Sequence, residues 1–121
     1  ERRVSSLSGG ERQLATLARV LAQEPEILLL DEPTSHLDLG NIRRILELLS
    51  LLREQGKTIL LTTHDPNLAA AVADSVILLR EGRVLAAGPI LSCLTAENLQ
   101  KTYNVEVEVI PWRGRSLVIS H

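Results

Sequence analysis

The 121-residue sequence contains no methionine. A chain that opens Glu1-Arg2-Arg3 without an initiator residue reads as a processed or excised piece. Its one cysteine, Cys93, cannot close an internal disulfide, which points to a reducing compartment. Cys93 then reads as a small apolar filler, not a reactive thiol. No apolar run approaches the roughly 20 residues that a membrane helix needs. No signal peptide is visible. The formal net charge of −2 gives no reason to expect nucleic acid as a partner. Internal repeats, low-complexity linkers and coiled-coil heptads are missing too. What remains is a globular composition, 45% hydrophobic, long enough for one domain with a modest core.

The informative stretch is Ile27-Leu28-Leu29-Leu30-Asp31-Glu32-Pro33-Thr34-Ser35-His36-Leu37-Asp38. Four consecutive apolar residues read as a strand buried on both faces, as in a parallel sheet. Ligands of open α/β sheets bind just beyond the carboxyl ends of the strands, and there Asp31 and Glu32 stand side by side. Packing explains such a pair poorly, because adjacent like charges repel and resist burial. A divalent cation explains it well, with one carboxylate for the metal and one for a proton. A solvated acidic turn is the plain alternative, and other stretches of the chain decide against it.

Upstream, Ser8-Gly9-Gly10-Glu11 has the spacing of a capping box and predicts a helix to about Gln23, before Pro25. Leu14, Leu17, Ala18 and Leu21 form its apolar stripe. Two glycines in the first turn cost about 1 kcal/mol each relative to alanine. They are useful if a ligand must approach the backbone, and a helix start with bare amides suits phosphate. Leu39 to Gln55 predicts a second helix, ending at Gly56. Lys57 to Thr63 predicts a second buried strand, ending in His64-Asp65-Pro66. Asp65 and Pro66 open a short third helix through about Ala73.

Ser75 to Arg80 is an expected third strand, and Arg83 to Ala87 its hairpin partner across Glu81-Gly82. Gly88-Pro89 is expected to break the chain. Thr95 caps a helix over 96–103. Val105 to Ile110 alternates as a half-wet strand. Pro111 to Arg115 reads as a loop and Ser116 to Ser120 as a last strand. The succession of strands and helices predicts a parallel α/β layer with an appended C-terminal segment.

Gly56-Lys57-Thr58 imitates the tail of a phosphate-binding P-loop, G-x-x-x-x-G-K-[ST]. The leading glycine position holds Leu51, and a helix precedes where a strand is required. No other stretch offers a P-loop.

Three motifs in order, Leu7-Ser8-Gly9-Gly10-Glu11, Leu28 to Asp38, and Thr63-His64-Asp65, closely resemble the ATP-binding cassette (ABC) ATPases. The resemblance covers about Ser6 to Gly88. It implies a P-loop NTPase-like α/β fold, here a partial domain lacking the P-loop half, with a small β-containing C-terminal appendage. The implied division is 1–88 for the cassette part and 89–121 for the appendage.

The resemblance also implies roles. Ser8, Gly9, Gly10 and Glu11 form the signature motif, which contacts the γ-phosphate of ATP held by a second ATPase subunit in a head-to-tail dimer. Glu11 stands where many members carry glutamine. Asp31 holds Mg²⁺ directly or through water. Glu32 is the general base that polarises the attacking water. Asp38 belongs to the loop that couples the two sites, and His64 is the switch histidine that senses the γ-phosphate. His36 is given a structural role.

The family's aromatic adenine-stacking residue, its P-loop and the glutamine that meets the membrane subunit are missing from this sequence. The expected consequence is a sheet with an exposed apolar edge or a gap, which invites pairing with another chain, and a chain that does not turn over ATP alone. Gly88-Pro89, Leu94 to Leu99 and Tyr103 to Val107 resemble the tail of bacterial importers of iron-siderophore, haem or cobalamin. That implies membrane permease partners and a peripheral place on the cytoplasmic face of the cell membrane. The alternatives are a soluble ABC ATPase of the translation or DNA-repair type, or a non-catalytic interaction module.

Overall fold

Helix α1 (Gly9–Leu21) begins at the glycine pair and ends ahead of Pro25. The computed structural model describes residues 9–121, so Leu7 and Ser8 lie outside the described residues. The chain divides into two compact units, Glu1–His64 and Asp65–His121.

In the first unit, strand β1 (Ile27–Asp31) pairs in parallel with strand β2 (Thr58–Thr62), from Ile27 opposite Thr58 to Asp31 opposite Thr62. A parallel pair needs a long crossover, and helix α2 (Leu39–Glu54) supplies it. Asp38 caps that helix, its Oδ1 accepting the Asn41 N–H at 2.8 Å. Gly56 lies just past the helix end, at a φ of 85° that favours glycine. Leu17 of α1 with Ile45 and Leu49 of α2 form the core, and Leu30, Ile59 and Leu61 of the strands pack against it. Burying each such side chain contributes about 1.5–3 kcal/mol.

The strands were expected to be buried on both faces, and here the structure differs. Leu28 is 1% exposed, while Ile27, Leu29 and Leu60 are 64%, 73% and 57% exposed. Side chains alternate between faces of a strand, and α1 and α2 cover only one of them. The opposite face is a bare apolar strip of a kind that parallel sheets normally cover.

The second unit opens with helix α3 (Pro66–Val72). Asp65 Oδ1 accepts the Asn67 N–H at 2.9 Å and Pro66 takes the first helical position. Strand β3 (Ser75–Arg80) was expected in the parallel layer. It pairs instead with β4 (Arg83–Pro89) in a separate antiparallel sheet. The turn explains this: Glu81 and Gly82 are both left-handed, at φ 51° and 73°, and two such residues close a tight hairpin. Gly88-Pro89 does not interrupt the chain, since β4 runs on to pair Pro89 with Ser75. Proline is tolerated at such a strand end.

A one-turn helix α4 (Ile90–Cys93), not foreseen from the sequence, leads to α5 (Ala96–Tyr103), capped by Thr95. Strands β5 (Val107–Trp112) and β6 (Arg115–Ser120) form a second hairpin. The expected loop at Pro111 to Arg115 shrinks to Arg113-Gly114, both left-handed at φ 49° and 78°. The Asn67 side-chain amide donates to the Val118 carbonyl at 3.0 Å and accepts the Val118 N–H at 2.7 Å. Leu78, Leu94, Leu99, Val107 and Val118 form this unit's core. Cys93 is a free, buried thiol, as its reading as a filler requires. Among the described residues, no helix is long and apolar enough to cross a membrane.

Candidate functional site

Asp31 and Thr62 face each other across the last row of the parallel pair, on the side that α1 and α2 leave bare. The Thr62 hydroxyl donates to Asp31 Oδ1 at 2.5 Å. It also accepts the Glu32 N–H at 3.0 Å, which is shared with the Thr62 carbonyl at 3.2 Å. One hydroxyl therefore fixes a side chain and the next backbone amide at once. Asp31 itself is exposed.

Glu32 takes a left-handed backbone, φ 44°. A non-glycine residue there costs of order 1–3 kcal/mol and persists only where its surroundings hold it. Two hydrogen-bonded contacts and a buried neighbour do so. Its N–H is held by Thr62, its carbonyl accepts the Ser35 N–H at 3.1 Å, and Pro33 behind it is fully buried. The result turns the carboxylate toward the end of β2. There Glu32 Oε1 meets His64 Nε2 at 2.5 Å. The side chain of His64 is 91% exposed and that of Glu32 34%. Thus Asp31, Glu32 and His64, expected to converge from the sequence, do so at the carboxyl ends of β1 and β2. Thr62 joins them as a positioning residue that the sequence reading missed.

Of the remaining expected residues, Gly10 and Asp38 both meet Asn41 at the start of α2. Gly10 is buried, and a Cβ built on it would stand 2.2 Å from Asn41 Nδ2 and 2.3 Å from Asn41 Cγ. Its missing side chain is therefore required by the close approach of α1 to the start of α2. Gly9 has nothing within 4 Å of a Cβ and is exposed, which leaves its backbone open to a ligand. Glu11 lies in the first turn of α1. Asp38 spends one oxygen on capping α2. Ser8 lies outside the described residues. His36 sits in the turn after Glu32, left-handed at φ 61° and exposed.

The donor set suits a hard cation held partly by its ligand. Mg²⁺ prefers oxygen ligands and commonly takes one or two carboxylates plus phosphate and water. Asp31 offers one oriented carboxylate. No cluster of three His, Cys, Asp or Glu side chains among the described residues forms an all-protein cage.

A family model described as "AAA domain, putative AbiEii toxin, Type IV TA system" matches residues 1–70. The chain belongs to this family of AAA-type domains, in its ATP-binding cassette form. It is 46% identical over 121 residues to the hemin import ATP-binding protein HmuV of Rhodococcus jostii, covering 98% of this chain and 41% of that protein. It is 45% identical over 119 residues to the ferric enterobactin transport ATP-binding protein FepC of Escherichia coli, covering 96% of this chain and 44% of that one. Among solved structures, it is similar to a metal-chelate type ABC transporter in an inward-facing conformation. That match has a TM-score of 0.89 and 36% identity, over 100% of this chain and 50% of the other. A dimeric ATP-binding cassette in a post-hydrolysis state, bound to ADP and Pi, matches with a TM-score of 0.62 and 38% identity. It covers 71% of this chain and 37% of the other. The chain spans about two fifths of the length of the curated relatives it matches, 41% and 44% for these two.

Proposed function

We propose that this chain is the signature-to-switch part of the ATPase subunit of a bacterial importer for iron-siderophore, haem or cobalamin. The observation that carries this is the gathering of Asp31, Glu32 and His64 through Thr62 at the ends of two parallel strands. Phosphoryl transfer needs mainly positioning and charge neutralisation, and these residues divide that work. Asp31, with one oxygen tied to Thr62, keeps the other for Mg²⁺. The ion, when bound, supplies charge neutralisation at the phosphates. Glu32 orients a water and accepts its proton. His64, touching Glu32, reports on the γ-phosphate. Gly9 and the start of α1 serve the nucleotide of a second ATPase subunit in a head-to-tail dimer, and Asp38 couples the two sites. Membrane permease subunits are the transport partners, and the chain works peripherally at the cytoplasmic face.

The sequence has no P-loop, and the exposed Ile27, Leu29 and Leu60 on one face of β1 and β2 support a reading in which further cassette elements cover that face. The nucleotide grip therefore belongs to residues outside this sequence. Titrating ATP·Mg²⁺ into the isolated polypeptide should give neither turnover nor micromolar binding; micromolar binding with turnover overturns the reading. In a full-length cassette that contains this chain, Glu32→Gln slows hydrolysis by about 10²–10⁴-fold while nucleotide binding persists. Unchanged turnover removes Glu32 from its role.

A further inference from the structure

The β5–β6 hairpin uses only one of its faces for the core of its own unit. Val107 and Val118 are buried there, and Val109 packs beside them. Alternation sends Glu108, Ile110 and Trp112 of β5 to the other face, opposite Ile119, Leu117 and Arg115 of β6. Ile110 and Leu117 are half-buried, Ile119 is 38% exposed and Trp112 is 50% exposed. This outward strip is apolar in the middle and charged at both ends. The tip carries Arg113 and Arg115, with the Arg113 guanidinium 5.5 Å from the Trp112 ring centre. The base carries Glu106 and Glu108, both exposed, with His121 Nε2 3.3 Å from Glu108 Oε2, so Glu106 is the carboxylate there without that neighbour.

We propose that this face is a contact site for a second copy of the same chain. Two hairpins would pack face to face, with the tip of each over the base of the other. The charge arrangement selects that geometry. A two-fold contact must be self-complementary. Tip over base sets Arg113 and Arg115 of each copy against Glu106 and Glu108 of the other, and joins the apolar centres. Tip over tip would oppose four guanidinium groups. The β6 edge is engaged at Val118 by Asn67, so the face, not that edge, is what the hairpin presents. Strands of this length run about 17–20 Å. The patch is thus well below the roughly 1,200 Å² of a stable interface, and the contact is weak and salt-sensitive. It involves neither the nucleotide nor the residues of the candidate site, and it stands or falls apart from them.

The test uses the full chain without nucleotide. Trp112 is the sole tryptophan, so its emission reports on this face alone. Sedimentation equilibrium at low salt should show concentration-dependent association, with a blue shift of Trp112 emission over the same range. The double variants R113E/R115E and E106K/E108K should each associate about tenfold more weakly or worse. Mixed together, they should associate with each other, because each then carries the charges the other lacks. R113E also removes the cation beside Trp112 and E108K the contact with His121, so each variant's emission is compared with its own value at high dilution, and circular dichroism checks the fold. The proposal is overturned if the variants associate as the parent does, which assigns self-association to the bare β1–β2 face. It is overturned equally if the mixed variants fail to pair. It is overturned, too, if Trp112 emission responds to phosphatidylserine vesicles and not to protein concentration.

Discussion

Glu32 Oε1 and His64 Nε2 lie 2.5 Å apart although the histidine side chain is 91% exposed. Exposed ion pairs stabilise folds by only about 0–1 kcal/mol, so fold stability does not account for the contact. Replacing His64 by alanine should change the unfolding free energy of the chain by no more than about 0.5 kcal/mol, as for other surface substitutions. The same change in a full-length cassette should depress ATP turnover strongly. Urea unfolding and a phosphate-release assay, run side by side, check the contrast. A large stability loss with full turnover would make the contact structural.

Neighbouring leucines on β1 should behave in opposite ways. Leu28 is 1% exposed and Leu29 is 73% exposed. Leu28→Ala should cost about 2–5 kcal/mol, the usual range for emptying a core site. Leu29→Lys should leave the isolated chain within about 0.5 kcal/mol of the parent. In a full-length cassette, Leu29→Lys should be severely destabilising, because the bare face is then covered. Equal tolerance in both settings would mean that nothing packs on that face.

The two glycines that open α1 are separable. Gly10→Ala places a methyl within 2.3 Å of Asn41 Cγ, so Asn41 or the helix must shift. The expected cost is about 1–3 kcal/mol, typical of overpacking. Gly9→Ala meets nothing within 4 Å and should be neutral or stabilising, by up to about 1 kcal/mol. Thermal or urea unfolding of both variants decides.

Tyr103, the single tyrosine, has its pKa raised above the ordinary 10.0, first by burial and second by the negative charge of Asp65. Both causes penalise the phenolate. Folding therefore favours the protonated ring, and its contribution to stability is complete below about pH 10. It is lost as pH rises through the higher folded value. Phenolate absorbance should titrate later in the folded chain than in urea. Asp65→Asn keeps the helix cap and should bring the folded value only part of the way back, since burial remains. A titration identical in folded and unfolded chains would refute this.

What the sequence disclosed follows from how local each signal is. The caps at Asp65 and Thr95 and the turn at Glu81-Gly82 act within four residues and are where the sequence places them, whereas the cap at Asp38 emerged only with the structure. Asp31, Glu32 and His64 were legible because they follow strand ends and match a known motif order. Thr62 was hidden because it ends an apolar run and its partner Asp31 lies 31 residues away. Only the parallel register, Asp31 opposite Thr62, brings it into view. The one-sided burial of β1 was equally hidden, since Ile27 to Leu30 gives no alternation to read. The left-handed backbone of Glu32 had no signal either, because no glycine or asparagine marks the position.

Asn67 does more than anchor α3 to β6. An open strand edge offers paired donors and acceptors on which foreign strands can nucleate, the first step toward fibrous aggregates. By answering both the donor and the acceptor of Val118 with one side chain, Asn67 removes the template from the middle of β6. A polypeptide that leaves so much greasy surface uncovered on β1 and β2 thereby gains protection against amyloid-like growth at this flank.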